Sequence, residues 1–285
     1  MESRFTRLDR AVLSVAGEDR ATFLQGLISN DITKAGPDRA IWAAFLTPQG
    51  KFLWDLFIVE QDGAFLIDVE AARAEEFRKK LSMYKLRAKV TVALTELSVF
   101  AVMNPAVLDL GDMPGAARPF GDGTATVDPR LAALGARVVL ASPDALVAIG
   151  LAETDMAAWD VVRLRAGVPD GSRDMVVDKA LLLESGFDEL GGVDFDKGCY
   201  MGQELTARTK YRGLIKKRLL PVTIDGPVPE PGTPLLAGEA EAGEMRSSCG
   251  TAGLALVRLE YLDQPLKAGA ATLTASVPDW VKLPE

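Results

Sequence analysis

Apolar positions along this chain switch repeatedly between a period of two and a period near 3.6. Ala11–Ala16 alternates as a short strand, and Phe23, Leu24, Leu27 and Ile28 fall on one face of a helix that Asp19 can cap. Ala43–Leu46 and Phe52–Val59 read as paired strands about the turn Thr47-Pro-Gln-Gly50, and Gln61-Asp-Gly63 turns the chain into Ala64–Val69. A helix from Ala71 to about Tyr84 presents Phe77, Leu81 and Tyr84 on its apolar side, and Lys89–Leu94 alternates again. Strands joined as hairpins rather than by βαβ crossovers predict an α+β unit of the ferredoxin-like kind over residues 1–95.

Residues 96–215 repeat this style more loosely. Strands are predicted at Leu97–Met103, Thr124–Val127 and Arg137–Leu140, and the Pro/Gly-rich stretch Asn104–Gly123 as a loop. Thr154 is placed to cap a helix with Met156, Trp159, Val161 and Val162 inward, ended by Gly167. Beyond Leu219 the pattern shortens to strands split by Gly and Pro: Leu220–Ile224, Pro234–Leu236, Gly253–Leu259 and Ala271–Val277. That is the signature of a small β-barrel or sandwich over 216–285.

Composition narrows the chemistry. There is no histidine among the 285 residues, which removes Ser-His-Asp triads, Cys-His pairs and His-ligated metals. With only Cys199 and Cys249, the chain cannot build a four-cysteine zinc or iron–sulfur site by itself. A net charge of −8 argues against broad nucleic-acid binding, and no run of about 18 apolar residues exists to span a membrane. The start, Met-Glu-Ser-Arg-Phe-Thr-Arg-Leu-Asp, has neither a secretory apolar core nor an acid-free Arg-rich presequence. A cytoplasmic monomer is expected, and a reducing compartment leaves both thiols free.

One segment stands apart from the acidic background. From Lys197 to Arg218 the chain carries seven Lys/Arg against one acid, Glu204. Cys199 lies inside it, between Gly198 and Gly202, just before a predicted helix Met201–Lys210 whose N-terminal field would favour a thiolate. Lys197, Arg208, Lys210 and Arg212 would add to that field. The plainer reading makes Cys199 a small buried apolar residue. The basic run itself either meets an anionic partner or simply solvates a surface and holds acidic loops. Gln203 and Glu204 read as first-turn residues that satisfy backbone donors. Cys249, in the turn-like Ser247-Ser-Cys-Gly250, reads as structural.

The octamer Lys197-Gly-Cys-Tyr-x-Gly-Gln-Glu resembles the signature of the YgfZ family, folate-dependent iron–sulfur assembly proteins related to the glycine-cleavage T-protein. Leu183-Glu-Ser185, Gly192-Val-Asp-Phe195, Glu204-Leu-Thr-Ala-Arg208 and Lys216-Lys-Arg-Leu219 extend the match and look most like the mitochondrial members. Phe23-Leu-Gln-Gly26 with Asn30-Asp31 looks like the N-terminal folate-domain motif, and Tyr84-Lys-Leu-Arg87 and Arg163-Leu-Arg-Ala-Gly-Val-Pro169 add weaker matches. The resemblance implies a T-protein-like α+β fold: two ferredoxin-like domains and a C-terminal β-barrel around a channel that holds tetrahydrofolate.

It also implies roles for single residues. Asp55 breaks an apolar strand and falls where the T-protein places a folate-contacting aspartate, although Trp54 and Lys51 depart from that enzyme's motif. It is expected either outward on its strand or aimed into a cavity. Glu184 matches the family glutamate that hydrogen-bonds the pterin, since a carboxylate suits a donor-rich ring. Lys197 and Arg208 are expected beside the folate, with Cys199 and Asp55 as the reacting pair. The implied role is assembly or repair of iron–sulfur clusters in client enzymes, including radical enzymes that modify tRNA. The chain is thus expected to be an accessory factor working with iron–sulfur client or assembly proteins. Two alternatives stay open: a true aminomethyltransferase acting on tetrahydrofolate, and a folate-binding scaffold with an inert thiol.

Overall fold

Three sheets carry the structure, a computed structural model that describes residues 4–213 and 215–284. The first has five strands in the order Ile41–Leu46, Phe52–Gln61, Ala64–Glu70, Arg10–Ala16, Thr91–Leu94, antiparallel throughout. The second has six, in the order Ala152–Glu153, Arg4–Arg7, Ser98–Val102, Ala136–Leu140, Gly123–Val127, Ala117–Phe120. The strand Arg4–Arg7 was not predicted; the chain opens in the second sheet and crosses at Leu8–Asp9 into the first. The third sheet closes into a six-stranded barrel of Lys217–Asp225, Ala252–Arg258, Ala240–Cys249, Pro234–Ala237, Leu266–Ala268 and Ala271–Ala275. Closure removes the free sheet edges that such short strands would otherwise expose.

The two open sheets meet face to face, and period two explains how. On the strand Phe52–Gln61, Trp54, Leu56 and Ile58 enter a core closed by the helix Ala74–Tyr84 through Phe77 and Leu81. The intervening positions Asp55, Phe57 and Val59 point the other way, toward the second sheet. There Val12, Val59 and Leu66 pack with Val99, Ala101 and Val139. The strand is therefore buried on both faces.

Several local expectations are corrected. Asp19 precedes the helix Arg20–Gln25 but does not cap it, because its carboxylate accepts instead from the Lys89 backbone N–H at 2.7 Å. Asp155, not Thr154, caps the helix Met156–Ala166 by accepting from Ala157 N–H at 2.8 Å. Along that helix Trp159, Asp160, Arg163 and Leu164 are buried, while Met156, Val161 and Val162 are half-buried; paired charges displace the expected apolar face. The stretch 104–123 holds a 3-10 turn, Pro105–Leu108, and a strand, Ala117–Phe120. The barrel strands Ala240–Cys249 and Leu266–Ala268 went unpredicted because Gly, Glu, Arg and Ser interrupt the apolar pattern of the first and the second has three residues.

Candidate functional site

Cys199 is exposed at the crest of a loop whose two flanks are pinned to the N-terminal unit. On one side the Lys197 ammonium donates to the carbonyls of Gln25 at 2.5 Å and Ile28 at 2.7 Å, and its own carbonyl accepts from Gln25 Nε2 at 3.3 Å. Burial brings the Lys197 amine down to about 8, against the opposing pull of Asp31 and Asp194. On the other side Met201 N–H donates to Gly26 O at 3.0 Å. Just upstream, Ser29 donates to Gly192 O at 2.6 Å and Asn30 to Gly191 O at 2.7 Å. The Phe23-Leu-Gln-Gly26 and Asn30-Asp31 segments thus act as the socket for the cysteine loop.

The helix after the cysteine spans Gln203–Tyr211, later than expected, behind Gly202 in the left-handed region (φ 81°). Cys199 therefore lies outside the first helical turn. Gln203, rather than Glu204, satisfies a backbone donor, accepting from Tyr200 N–H at 3.0 Å, while Glu204 is exposed. Gly202 has a packing reason: a Cβ there would lie 2.4 Å from Thr47 O, and one on Gly50 would lie 2.6 Å from Gly202 O. A Cβ on Gly198 would meet nothing within 4 Å.

Asp55 does not face solvent; it is bound to Arg10, which lines a cavity of about 180 Å³ with Asp170 and Gly171. Asp55 is 1% exposed, with Oδ1 accepting from Arg10 Nη1 at 3.0 Å and Oδ2 from Trp42 Nε1 at 3.4 Å. Arg10 also donates from Nε to Asp68 Oδ1 at 2.5 Å, and Arg137 closes on the other Asp68 oxygen. Arg130, chelated by Asp128, joins Arg10 and Arg137 around the Phe57 ring, with guanidinium carbons 4.7, 5.1 and 3.7 Å from its centroid. Burial would raise the nearby Asp170 carboxyl, but Arg163, Arg10, Arg173 and Arg130 hold it well below the usual carboxylate range. Arg10, Asp68 and Arg137 escaped the sequence reading. The signal was present, since each lies two residues from an inward Val or Leu on its strand: Val12, Leu66 and Val139.

Glu184 occupies a different place, on the 3-10 turn Leu183–Ser185, lining a cavity of about 360 Å³. The cavity forms where Lys51, the segment 174–185 and the barrel strands meet, and Lys179, Lys217 and Arg246 also line it. Burial pushes the Glu184 carboxyl above its usual value, against the pull of Lys217, Lys51, Arg218 and Arg246. Neither Asp55 nor Cys199 lines this cavity. Cys199 is linked to it through the backbone contact of Gly202 with Gly50, next to Lys51, and through Leu205, Thr206 and Thr209 packed over Leu181–Leu183.

The basic run divides its work. Lys210 pairs with Asp188, and buried Arg218 with Glu189 at 2.8 Å, so part of it does hold acidic loops. Arg208 is exposed on the helix surface. Cys249 ends a barrel strand, its Sγ 3.7 Å from Ala157 O, and both thiols are free. Among the described residues no cluster of three or more Cys, Asp or Glu is arranged to hold a metal ion, and no helix is long and apolar enough to cross a membrane.

This architecture is that of a T-protein-like α+β protein with a C-terminal barrel. It superposes on the glycine cleavage system aminomethyltransferase T from Bartonella henselae with a TM-score of 0.79, over 98% of this chain and 86% of that one, at 16% identity. Residues 216–283 match the family model described as CAF17, C-terminal beta-barrel domain. The chain is 38% identical to the mitochondrial iron–sulfur cluster assembly factor IBA57 of Mus musculus and 36% to that of Homo sapiens, in each case over 96% of its own length and 84% of the relative's. A Pyricularia oryzae homologue is 33% identical over 99% of the chain and 79% of its own length. The chain belongs to the IBA57 family of iron–sulfur cluster assembly factors, in keeping with the YgfZ resemblance and its leaning toward mitochondrial members. The same relatives overturn the cytoplasmic expectation, since each is described as mitochondrial. That expectation rested on the residue pattern of Met-Glu-Ser-Arg-Phe-Thr-Arg-Leu-Asp, which does not decide a compartment.

Proposed function

We propose that this protein assembles or repairs iron–sulfur clusters of client enzymes, with Cys199 as the thiolate it lends to a cluster shared with a second protein. The observation that carries this reading is an exposed thiol on a loop pinned on both sides, in a chain whose described residues offer no companion ligand set. The remaining cluster ligands then come from an assembly protein or from the client. On binding iron the Cys199 thiol gives its proton to solvent, and the fixed loop limits the entropy lost in presenting it.

The cavity at Glu184 is read as the tetrahydrofolate site. Its lining suits that molecule: Glu184 would accept from the ring N–H groups and Lys51, Lys179 and Lys217 would attract the carboxylates of the tail, while Arg246 is already paired with Glu244 on the same wall. Folate would supply or accept a one-carbon unit there. Asp55, with both oxygens engaged, would influence a ligand only through Arg10, and exposed Arg208 and pinned Lys197 would act by long-range field.

Replacing Cys199 with Ser should leave the fold intact and abolish cluster delivery, read as loss of client-enzyme activity in cells and of partner-dependent cluster absorbance in vitro. Full delivery by that variant would refute the reading. Ammonia release from an aminomethylated lipoyl carrier, independent of Cys199, would instead favour the aminomethyltransferase alternative.

A further inference from the structure

Leu86 is 90% exposed and holds a left-handed backbone (φ 41°), a conformation that costs a bulky residue energy and suits glycine or asparagine. Met83, 71% exposed, stands one helical turn before it. The tip is not loose. Tyr84 packs edge-on against Phe45 at 6.0 Å, and Tyr84 and Ala88 both rest on the core of the five-stranded sheet, so Leu86 is displayed between two anchors. Folding alone gives no reason for this display.

The charge around it is equally biased. Residues 78–89 contain six Lys/Arg and no acid, in a chain of net charge −8. Arg78 and Lys79 reach Glu75, and Lys89 pairs with Glu18, whereas Lys80, Lys85 and Arg87 have no ion-pair partner among the described residues. Met201, two residues after Cys199, rests on the same core cluster as Tyr84, so the tip and the thiol loop are carried by one rigid unit.

We infer that the Met83–Leu86–Arg87 tip is the docking knob for an acidic cluster-carrying protein. Leu86 enters an apolar socket in that partner and Lys80, Lys85 and Arg87 face its carboxylates. The inference rests on the assembly reading above and adds the partner's surface chemistry to it. A basic apolar tip also suits anionic lipid. Two exposed apolar side chains on a chain otherwise more acidic than its total are, however, too little to hold a bilayer.

The test places a photo-crosslinking benzoylphenylalanine at position 86 in cells and identifies the adduct by mass spectrometry. The expected product is one protein of acidic surface that carries cluster-ligating cysteines, with at least a tenfold lower yield when Lys80, Lys85 and Arg87 are all changed to Glu. No adduct, a phospholipid adduct, or a partner without cluster ligands would overturn the inference. So would Leu86-dependent co-sedimentation of the purified protein with phosphatidylcholine/phosphatidylglycerol vesicles. Leu86→Gly, which relieves the backbone, guards against a folding artefact: it should melt no lower than wild type yet slow cluster delivery at limiting partner about tenfold or more. Cys199→Ser should retain the position-86 adduct while failing in delivery. Wild-type delivery by Leu86→Gly beside a dead Cys199→Ser would remove the docking inference alone.

Discussion

Lys197 and Gln25, 172 residues apart, hydrogen-bond each other twice: the Lys197 ammonium donates to the Gln25 carbonyl at 2.5 Å and the Gln25 amide donates to the Lys197 carbonyl at 3.3 Å. This reciprocal pair seats the cysteine loop on the N-terminal unit. Lys197→Met should cost about 1–3 kcal/mol, because two carbonyls lose their donor, and should loosen the Cys199 loop toward protease. Unchanged urea stability and unchanged proteolysis would show that the pair is incidental.

The same lysine sets a pH dependence. Its folded value is about 8 and its ordinary value is 10.5. Between those limits the unfolded chain binds the extra proton, so stability rises with pH there. Wild type should therefore gain stability relative to Lys197→Met from about pH 8 upward. A flat difference between paired denaturation curves would count against the depressed value.

For Glu184 the sign is reversed. Burial raises its carboxyl in the folded state, so the unfolded chain loses its proton first, and stability falls as pH climbs through the interval above the ordinary value of 4.5. Glu184→Gln should be at least as stable as wild type at pH 7 yet bind tetrahydrofolate at least tenfold more weakly by calorimetry. Equal affinity would take Glu184 out of the proposed folate site.

The Asp55 network makes a structural claim. Arg10→Met strands Asp55 as a buried charge, leaves Asp68 with Arg137 alone, and should cost about 3–5 kcal/mol. Asp55→Asn keeps the shape and loses one charged contact, so about 1–3 kcal/mol is expected. Were Asp55→Asn to keep full stability while losing folate binding, direct ligand contact would be the better account.

Two glycines in one motif should respond differently. Gly198→Ala pays only for its positive φ of 90°, about 1–2 kcal/mol, because nothing obstructs its Cβ. Gly202→Ala also drives a Cβ into Thr47 O and should cost clearly more in urea midpoint. Similar losses would mean that the hairpin turn yields.

Local periodicity was enough to locate most strands of both open sheets, the long helix ending at Tyr84 and the start of the barrel, since burial on one face of a strand or helix is written in neighbouring residues. It failed at Ala240–Cys249, whose strand depends on pairing with Ala252–Arg258 more than on its own pattern. The two cysteines and the missing histidines were likewise legible one residue at a time.

Which of these residues meet was not legible. Asp55 looked free to face a ligand because its cation, Arg10, lies 45 residues away; the strand order of the five-stranded sheet, with Ala64–Glu70 between them, brings the two to one face and makes that acid half of a buried ion pair. Glu184 kept its opening because the turn carrying it lies where the barrel leaves a cavity. Residue content set the chemistry available: two thiols, one of them inside a basic motif of an acidic chain, and no imidazole. Tertiary structure decided which charges are consumed and which remain exposed. Desolvation and pairing depend on neighbours distant in sequence, which no local pattern encodes.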